Sequence, residues 1–337
     1  MLMISADSHV IEPHDLWTER LPARYREQAP TYAKRTKFEA HDGGKDPVRR
    51  IQEMAMDGVS CEVLYASLAL NQFAMTDAGL QEACFRVYND WLIEYCSHAP
   101  DRLIGLALIS AYNIDNAIAE TIRCKNAGMR GITVWQVPPD ELSFTTGHYD
   151  RLWATCQELN IPVSLHILSG MPYGPGRVVN YNLVPNLSGA VNMKLFYTSD
   201  SLLQIIGSGT LDRFPNLKIV IVEAEVSWLP YSLAQWDRYL LKSGRHKGTL
   251  KLSASEYFER QVYGTFFNDP PVSILFRGWG TDNCMWSNDF PHGNSTWPKS
   301  RDVIARDLGH LPQATRAKLL SENVVKLYDL PAVGPVA

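Results

Sequence analysis

The sequence predicts an α/β fold, a (β/α)8 barrel with insertions that forms one domain over residues 1–337, and three observations carry this reading. Eight short β-rich runs alternate with amphipathic segments of helical length, the count a closed barrel requires. The runs are nearly continuous in apolar residues, as in LIGLALIS and KIVIVEA, which is how parallel strands buried on both faces read; half-exposed antiparallel strands alternate instead. At 337 residues the chain exceeds the usual size of a single domain, except where that domain is a barrel.

The runs fall at 2–7, 61–67, 103–110, 131–135, 161–167, 218–224, 262–266 and 284–289. Between them lie helix candidates at 80–99, 114–127, 149–159 and 229–241, several opened by Asp or Ser caps and closed near Gly or Pro. Two stretches break the rhythm and read as insertions. Residues 18–47 are rich in charge, Pro and Gly, and residues 168–198 contain GMPYGPGR followed by a polar, Asn-rich run. The second follows the fifth strand directly, so it is placed to act as a lid or an oligomer contact.

Composition bounds the function. Hydrophobic residues at 45% and charged residues at 20% are those of a globular chain, and 9 Trp with 15 Tyr suffice to line an aromatic pocket. A net charge of -4 with no Lys/Arg-rich run argues against nucleic acid as a partner. Cys61, Cys84, Cys96, Cys124, Cys156 and Cys284 are scattered without a CxxC pair, so they read as buried thiols in a reducing, cytoplasmic setting. No window approaches the length and apolarity of a membrane span, which leaves a small molecule as the expected partner.

The chemistry concentrates at strand ends. Asp7 and His9, two apart at the end of the first strand, point to one face and can grip one ion together. Taken alone, such a pair is more often a capped turn beside a hydrogen-bonded histidine. His166 terminates the otherwise apolar IPVSLHI, and Asp289 closes the eighth strand in CMWSNDFPH; strand ends are where barrels build active sites. Individually these read equally as a core histidine and a helix cap. Jointly, two nitrogen and two oxygen donors from three strands suit one divalent ion, Zn²⁺, or Mn²⁺ if waters complete an octahedron. Glu223 ends a sixth strand too apolar to tolerate an unpartnered charge, so it serves either as an acid or base or as a further ligand. Glu225 is a weaker candidate in the loop beyond. Glu12, His14 and His292 follow the first and eighth strands, where they can reach a substrate or orient a ligand. Trp135, Trp286 and Trp297 are candidates to wall the pocket.

ISADSHVIEP, RFPNLKIVIVEAEVSWLP and MWSNDFPHGNSTWP together resemble the amidohydrolase superfamily, in the branch of aminocarboxymuconate-semialdehyde decarboxylase and γ-resorcylate decarboxylase. The resemblance implies a distorted TIM barrel, a mononuclear metal and a homodimer or larger assembly. It places the ligands on Asp7, His9, His166 and Asp289, although the branch more often shows His-x-His or Glu-x-His on the first strand. The sequence departs from that pattern at the sixth strand, where Glu223 stands in place of a catalytic histidine.

Two activities follow. The first is non-oxidative decarboxylation of an aromatic or unsaturated acid, with Asp289 or Glu223 protonating the carbon that loses CO2. The second is hydrolysis of an amide, ester, lactone or C–C bond by a metal-activated water. A non-catalytic binding barrel is the reading from another class, opposed by four positions that all hold residues able to coordinate. Arg177 is the nearest candidate in the lid to meet a carboxylate.

Overall fold

The structure, a computed structural model, describes residues 1–32, 41–170, 188–242, 250–331 and 334. Its centre is one eight-stranded parallel sheet in sequence order: β1 (Ile4–His9), β2 (Cys61–Tyr65), β3 (Leu103–Leu108), β4 (Gly131–Val134), β5 (Val163–His166), β6 (Ile219–Val222), β7 (Val262–Phe266) and β8 (Cys284–Trp286). Each expected run contains or overlaps one observed strand, and every residue of every strand is buried. Continuous apolarity therefore marks what it should: one face meets the barrel interior and the other meets the helices. The four helix candidates correspond to Ala78–Cys96, Ile114–Asn126, Asp150–Glu158 and Leu229–Lys242.

Alternation along the strands divides the core in two. Ile4, Ala6, Val63, Tyr65, Leu106, Val222 and Met285 fill the barrel interior, while Val10, Leu64, Leu103, Val134, Leu165 and Trp286 pack outward under the helices. The helix Asn323–Tyr328 supplies Val324, Leu327 and Tyr328 to the interior cluster. The Tyr328 hydroxyl lies 3.3 Å from that of Tyr65, which also hydrogen-bonds Ser164 at 2.9 Å. At Gly131, where β4 begins, a Cβ would stand 2.8 Å from Leu106 and 3.2 Å from the Tyr328 ring, so the packing leaves no room for a side chain there.

The sheet closes irregularly. Pairing of β1 with β2 shifts register between Ser5 and Ser8. At the β8–β1 seam the backbone bonds are His9 N–H to the Phe290 carbonyl at 2.6 Å and Asp289 N–H to the Asp7 carbonyl at 3.1 Å. Of the two expected insertions, residues 18–47 carry the short 3-10 turns Ala23–Gln28 and Asp42–Gly44 within their described part. Residues 171–187, including Arg177, lie outside the described residues, and the end of the second stretch is the start of the helix Ser188–Gly207. Among the described residues no helix is long and apolar enough to cross a membrane.

Truncating the fully enclosed Tyr328 side chain leaves a cavity between Gly131 and Tyr65. Tyr328→Ala is expected to lower unfolding free energy by about 3–5 kcal/mol, read as a shift in urea midpoint at unchanged slope.

Candidate metal centre

The carboxyl ends of β1, β5, β6 and β8 converge on one buried cluster. Asp7 and His9 share the inward side of β1, His166 ends β5, Glu223 follows β6, and Asp289 follows β8 by three residues. Asp7, His9 and His166 are fully buried, Asp289 is 1% exposed and Glu223 is 8% exposed. One donor atom from each of Asp7, His9, His166 and Glu223 falls within 4.8 Å of all the others, and the same holds for His9, Glu223, Asp289 and His292.

Hydrogen bonds fix how the imidazoles present themselves. His9 Nδ1 is 2.7 Å from the Ala66 carbonyl and His166 Nδ1 is 2.8 Å from the Ile167 carbonyl. A carbonyl only accepts, so Nδ1 carries the proton in both rings and each neutral ring turns the lone pair of Nε2 inward. Those two Nε2 atoms are 3.3 Å apart. Around His9 Nε2 stand Asp7 Oδ1 at 3.4 Å, Asp289 Oδ1 at 3.5 Å and Glu223 Oε2 at 3.9 Å. His166 Nε2 is 3.7 Å from Asp7 Oδ1 and 3.6 Å from Glu223 Oε2. Among the described residues neither Asp7 oxygen has a hydrogen-bond partner, although the residue is wholly buried. Lone pairs facing one another in a dry site repel, and a buried carboxylate needs a partner. A cation resolves both: donors about 2.1 Å from one ion stand about 3.0 Å apart in cis-octahedral and about 3.4 Å apart in tetrahedral geometry, and the shortest separations here approach that range.

The protonation equilibria reflect the same crowding. Burial alone would raise the Asp7 carboxyl, but in the metal-free site the imidazoles of His166 and His9, when protonated, donate to it and hold the group well below the usual carboxylate range. Burial depresses His9, and the nearby His292 adds to that effect against the pull of Asp7. His166 is likewise penalised by burial, yet Asp7 and then Glu223 carry it above its ordinary value.

His292 stacks over His9 with ring centroids 3.9 Å apart, and its side chain retains 18% exposure. Its Nδ1 is 2.8 Å from Asp289 Oδ1 and its Nε2 is 3.2 Å from the Ser67 hydroxyl. His292 thus links the cluster to the half-exposed rim. Ser67 was not foreseen: it follows β2, and a serine after an apolar run is too common to single out.

The expectation for Trp135 and Trp286 is corrected, while the other candidates take places set by their own contacts. Trp135 is fully enclosed, its indole N–H donating to the Tyr149 hydroxyl at 2.8 Å and its ring edge-on to Tyr112, so no face is open to wall a pocket. Trp286 packs in the outer cluster under the helices. Trp297 is half-buried, its N–H donating to the Glu53 carbonyl and its ring set against His41 and Phe290. Glu12 turns away to accept the backbone N–H groups of Ser67, Leu68 and Ala69; burial pushes it up to about 7 against the pull of those bonds. Glu225 accepts the N–H of Phe267, and His14 is half-buried outside both donor groups.

With this geometry established, comparisons place the chain. The family model described as Amidohydrolase matches residues 15–330. A γ-resorcylate decarboxylase from Polaromonas sp. is 26% identical over 300 residues, covering 84% of this chain and 87% of that protein. A second γ-resorcylate decarboxylase, from Rhizobium sp., is 24% identical over 298 residues, covering 83% and 86%. Among solved structures, 5-carboxyvanillate decarboxylase from Novosphingobium aromaticivorans, complexed with manganese and 4-hydroxy-3-methoxy-5-nitrobenzoic acid, has a TM-score of 0.77 at 20% identity, covering 98% and 96% of the two chains. At that identity the likeness is one of fold.

Because His166 sits above its unfolded value, its protonated ring stabilises the metal-free protein at low pH, and that contribution fades as pH rises through the folded value. A cation requires the neutral ring. Its apparent affinity, measured by titration calorimetry with Mn²⁺, is expected to fall about tenfold per pH unit on the acid side of the His166 titration, and His166→Ala should abolish the tight binding at every pH.

Proposed function

The chain belongs to the amidohydrolase family, and we propose that it is a metal-dependent, non-oxidative decarboxylase of an aromatic or unsaturated carboxylic acid. The cluster's chemistry serves hydrolysis as readily, so the observation that carries the reading is the match to γ-resorcylate decarboxylases along 84% of this chain. Asp7, His9, His166 and Asp289 are the proposed ligands of one divalent ion, with Mn²⁺ favoured over Zn²⁺ by the manganese in the 5-carboxyvanillate decarboxylase of the same fold. The chemistry such an ion supplies is Lewis acidity toward a carboxylate and an adjacent oxygen.

The remaining steps belong to the side chains. Asp289, held by His292, faces the same space as Glu223, and either is placed to deliver a proton to the carbon that loses CO2. His292 and Trp297, both half-buried on the loop beyond β8, are the residues we assign to substrate contact, with His14 on the loop beyond β1. The six unpaired cysteines favour a reducing, cytoplasmic setting. Phe196, Tyr231 and Tyr239, each more than 60% exposed, offer apolar area that a second copy would cover in a homodimer or larger assembly.

The test is a panel of hydroxybenzoates and muconate-like acids with manganese-loaded protein, read by CO2 release. Turnover is expected, and Asp289→Asn should lower kcat by about 10²–10⁴-fold. No CO2 from any acid, with turnover of amides or lactones instead, would establish the hydrolase reading in its place.

A further inference from the structure

We propose that Glu223 binds the cation directly, as a fifth donor beside Asp7, His9, His166 and Asp289, and that this third carboxylate makes the site one for a hard, six-coordinate ion of the Mn²⁺ type. The inference rests on the metal site assigned above and deepens it.

The distances treat Glu223 as a member of the shell. Its Oε2 stands 3.6 Å from His166 Nε2 and 3.9 Å from His9 Nε2, in the same range as the 3.4 Å and 3.7 Å separations of Asp7 Oδ1 from those nitrogens. Of the carboxylates, Glu223 alone belongs both to the group with Asp7 and His166 and to the group with Asp289 and His292. It is therefore the central acid of the cluster.

The backbone points the same way. Glu223 adopts φ +61, a left-handed conformation that a side chain other than Gly enters at a cost of about 1–3 kcal/mol. The turn is held by Glu223 N–H donating to Thr265 Oγ1 of β7 at 2.9 Å. Asp289 makes the same kind of turn after β8 at φ +55. Two acids leave their strands through the same strained conformation and arrive at one point, whereas Glu225, also left-handed at φ +57, spends an oxygen on the N–H of Phe267.

The donor count then sets the metal. Three carboxylates and two imidazoles exceed the four donors of a tetrahedral Zn²⁺ site, and oxygen-rich octahedral shells suit Mn²⁺.

The experiment uses the full chain stripped with chelator and titrated with Mn²⁺ alone, then with Zn²⁺ in competition, for wild type, Glu223→Gln and Glu223→His, each checked for folding by circular dichroism. Glu223→Gln is expected to weaken Mn²⁺ by about 100-fold or more, the upper end of what losing an outer-shell partner costs, while Zn²⁺ weakens by less than about tenfold. Glu223→His should restore binding with the preference turned toward Zn²⁺, and the paramagnetic spectrum of bound Mn²⁺ should change in both variants. Unchanged Mn²⁺ affinity and spectrum in Glu223→Gln would overturn the inference and leave Glu223 as the proton carrier, with the decarboxylase reading intact. Failure of the wild type to bind either ion would overturn both.

Discussion

The carboxamide of Asn288 is the contact on which the site depends. Its oxygen accepts the hydroxyls of Ser5 at 3.0 Å and Ser8 at 2.6 Å and the N–H of Phe290 at 3.2 Å, and its nitrogen donates to Glu62 at 3.2 Å. Glu62 pairs with Arg50 at 2.5 Å, and Arg50 donates at 2.6 Å to the carbonyl of His9 while lying over the Phe290 ring. All of these groups are buried. A regular ladder would hold two strands at fixed spacing, but among the described residues the β8–β1 seam is joined by the two backbone bonds given above, and the polar network adds to their work. A buried ion pair contributes little net stability against its desolvation, yet losing one partner costs about 3–5 kcal/mol, so the network acts chiefly to permit one arrangement. That arrangement places Asp7 and His9 opposite Asp289.

From the seam outward, His9, His166, Asp289 and Glu223 are each oriented by a group behind them. Backbone carbonyls fix the tautomers of His9 and His166, His292 grips Asp289, and Thr265 anchors the turn at Glu223. Such support matters because side chains that repel one another will rotate apart unless their alternatives are closed. In His9 and His166 the second ring nitrogen is tied down and Nε2 is left facing the shared point. The strain at Glu223 and Asp289 belongs to this scheme, since both acids join the cluster from left-handed backbone turns.

The barrel was readable because strands buried on both faces leave a signal that needs no partner: eight apolar runs, each found as a strand. Asp7, His9, His166, Glu223 and Asp289 were readable for a related reason, as polar groups interrupting or ending such runs have no bland place to go. The tryptophans were not. Trp135 and Trp286 sit in strands or just beyond them, and whether a large ring faces helices or a pocket depends on packing across elements, which residue type does not encode. Arg50 and Glu62 gave no signal either. Arg50 lies in the helix Pro47–Asp57 among other charges, and only the fold brings it beneath His9.

The same cluster places function and stability in opposition. Without a cation, Asp7 is a wholly buried carboxylate with no hydrogen-bond partner among the described residues, facing imidazole lone pairs and two further acids. That is an energetic debt the rest of the barrel must cover, and the interior closed by Val324, Leu327 and Tyr328 at one end of the sheet is where the compensating apolar burial lies. A ligand that binds only the folded state adds RT ln(1 + [L]/Kd) to stability, so a cation at this point repays the debt where it arises. Without the ion, a proton on His166, which Asp7 and Glu223 raise above its ordinary value, offsets part of that repulsion. The acids thus cluster at one end of the barrel while the opposite end is closed by aliphatic and tyrosine side chains.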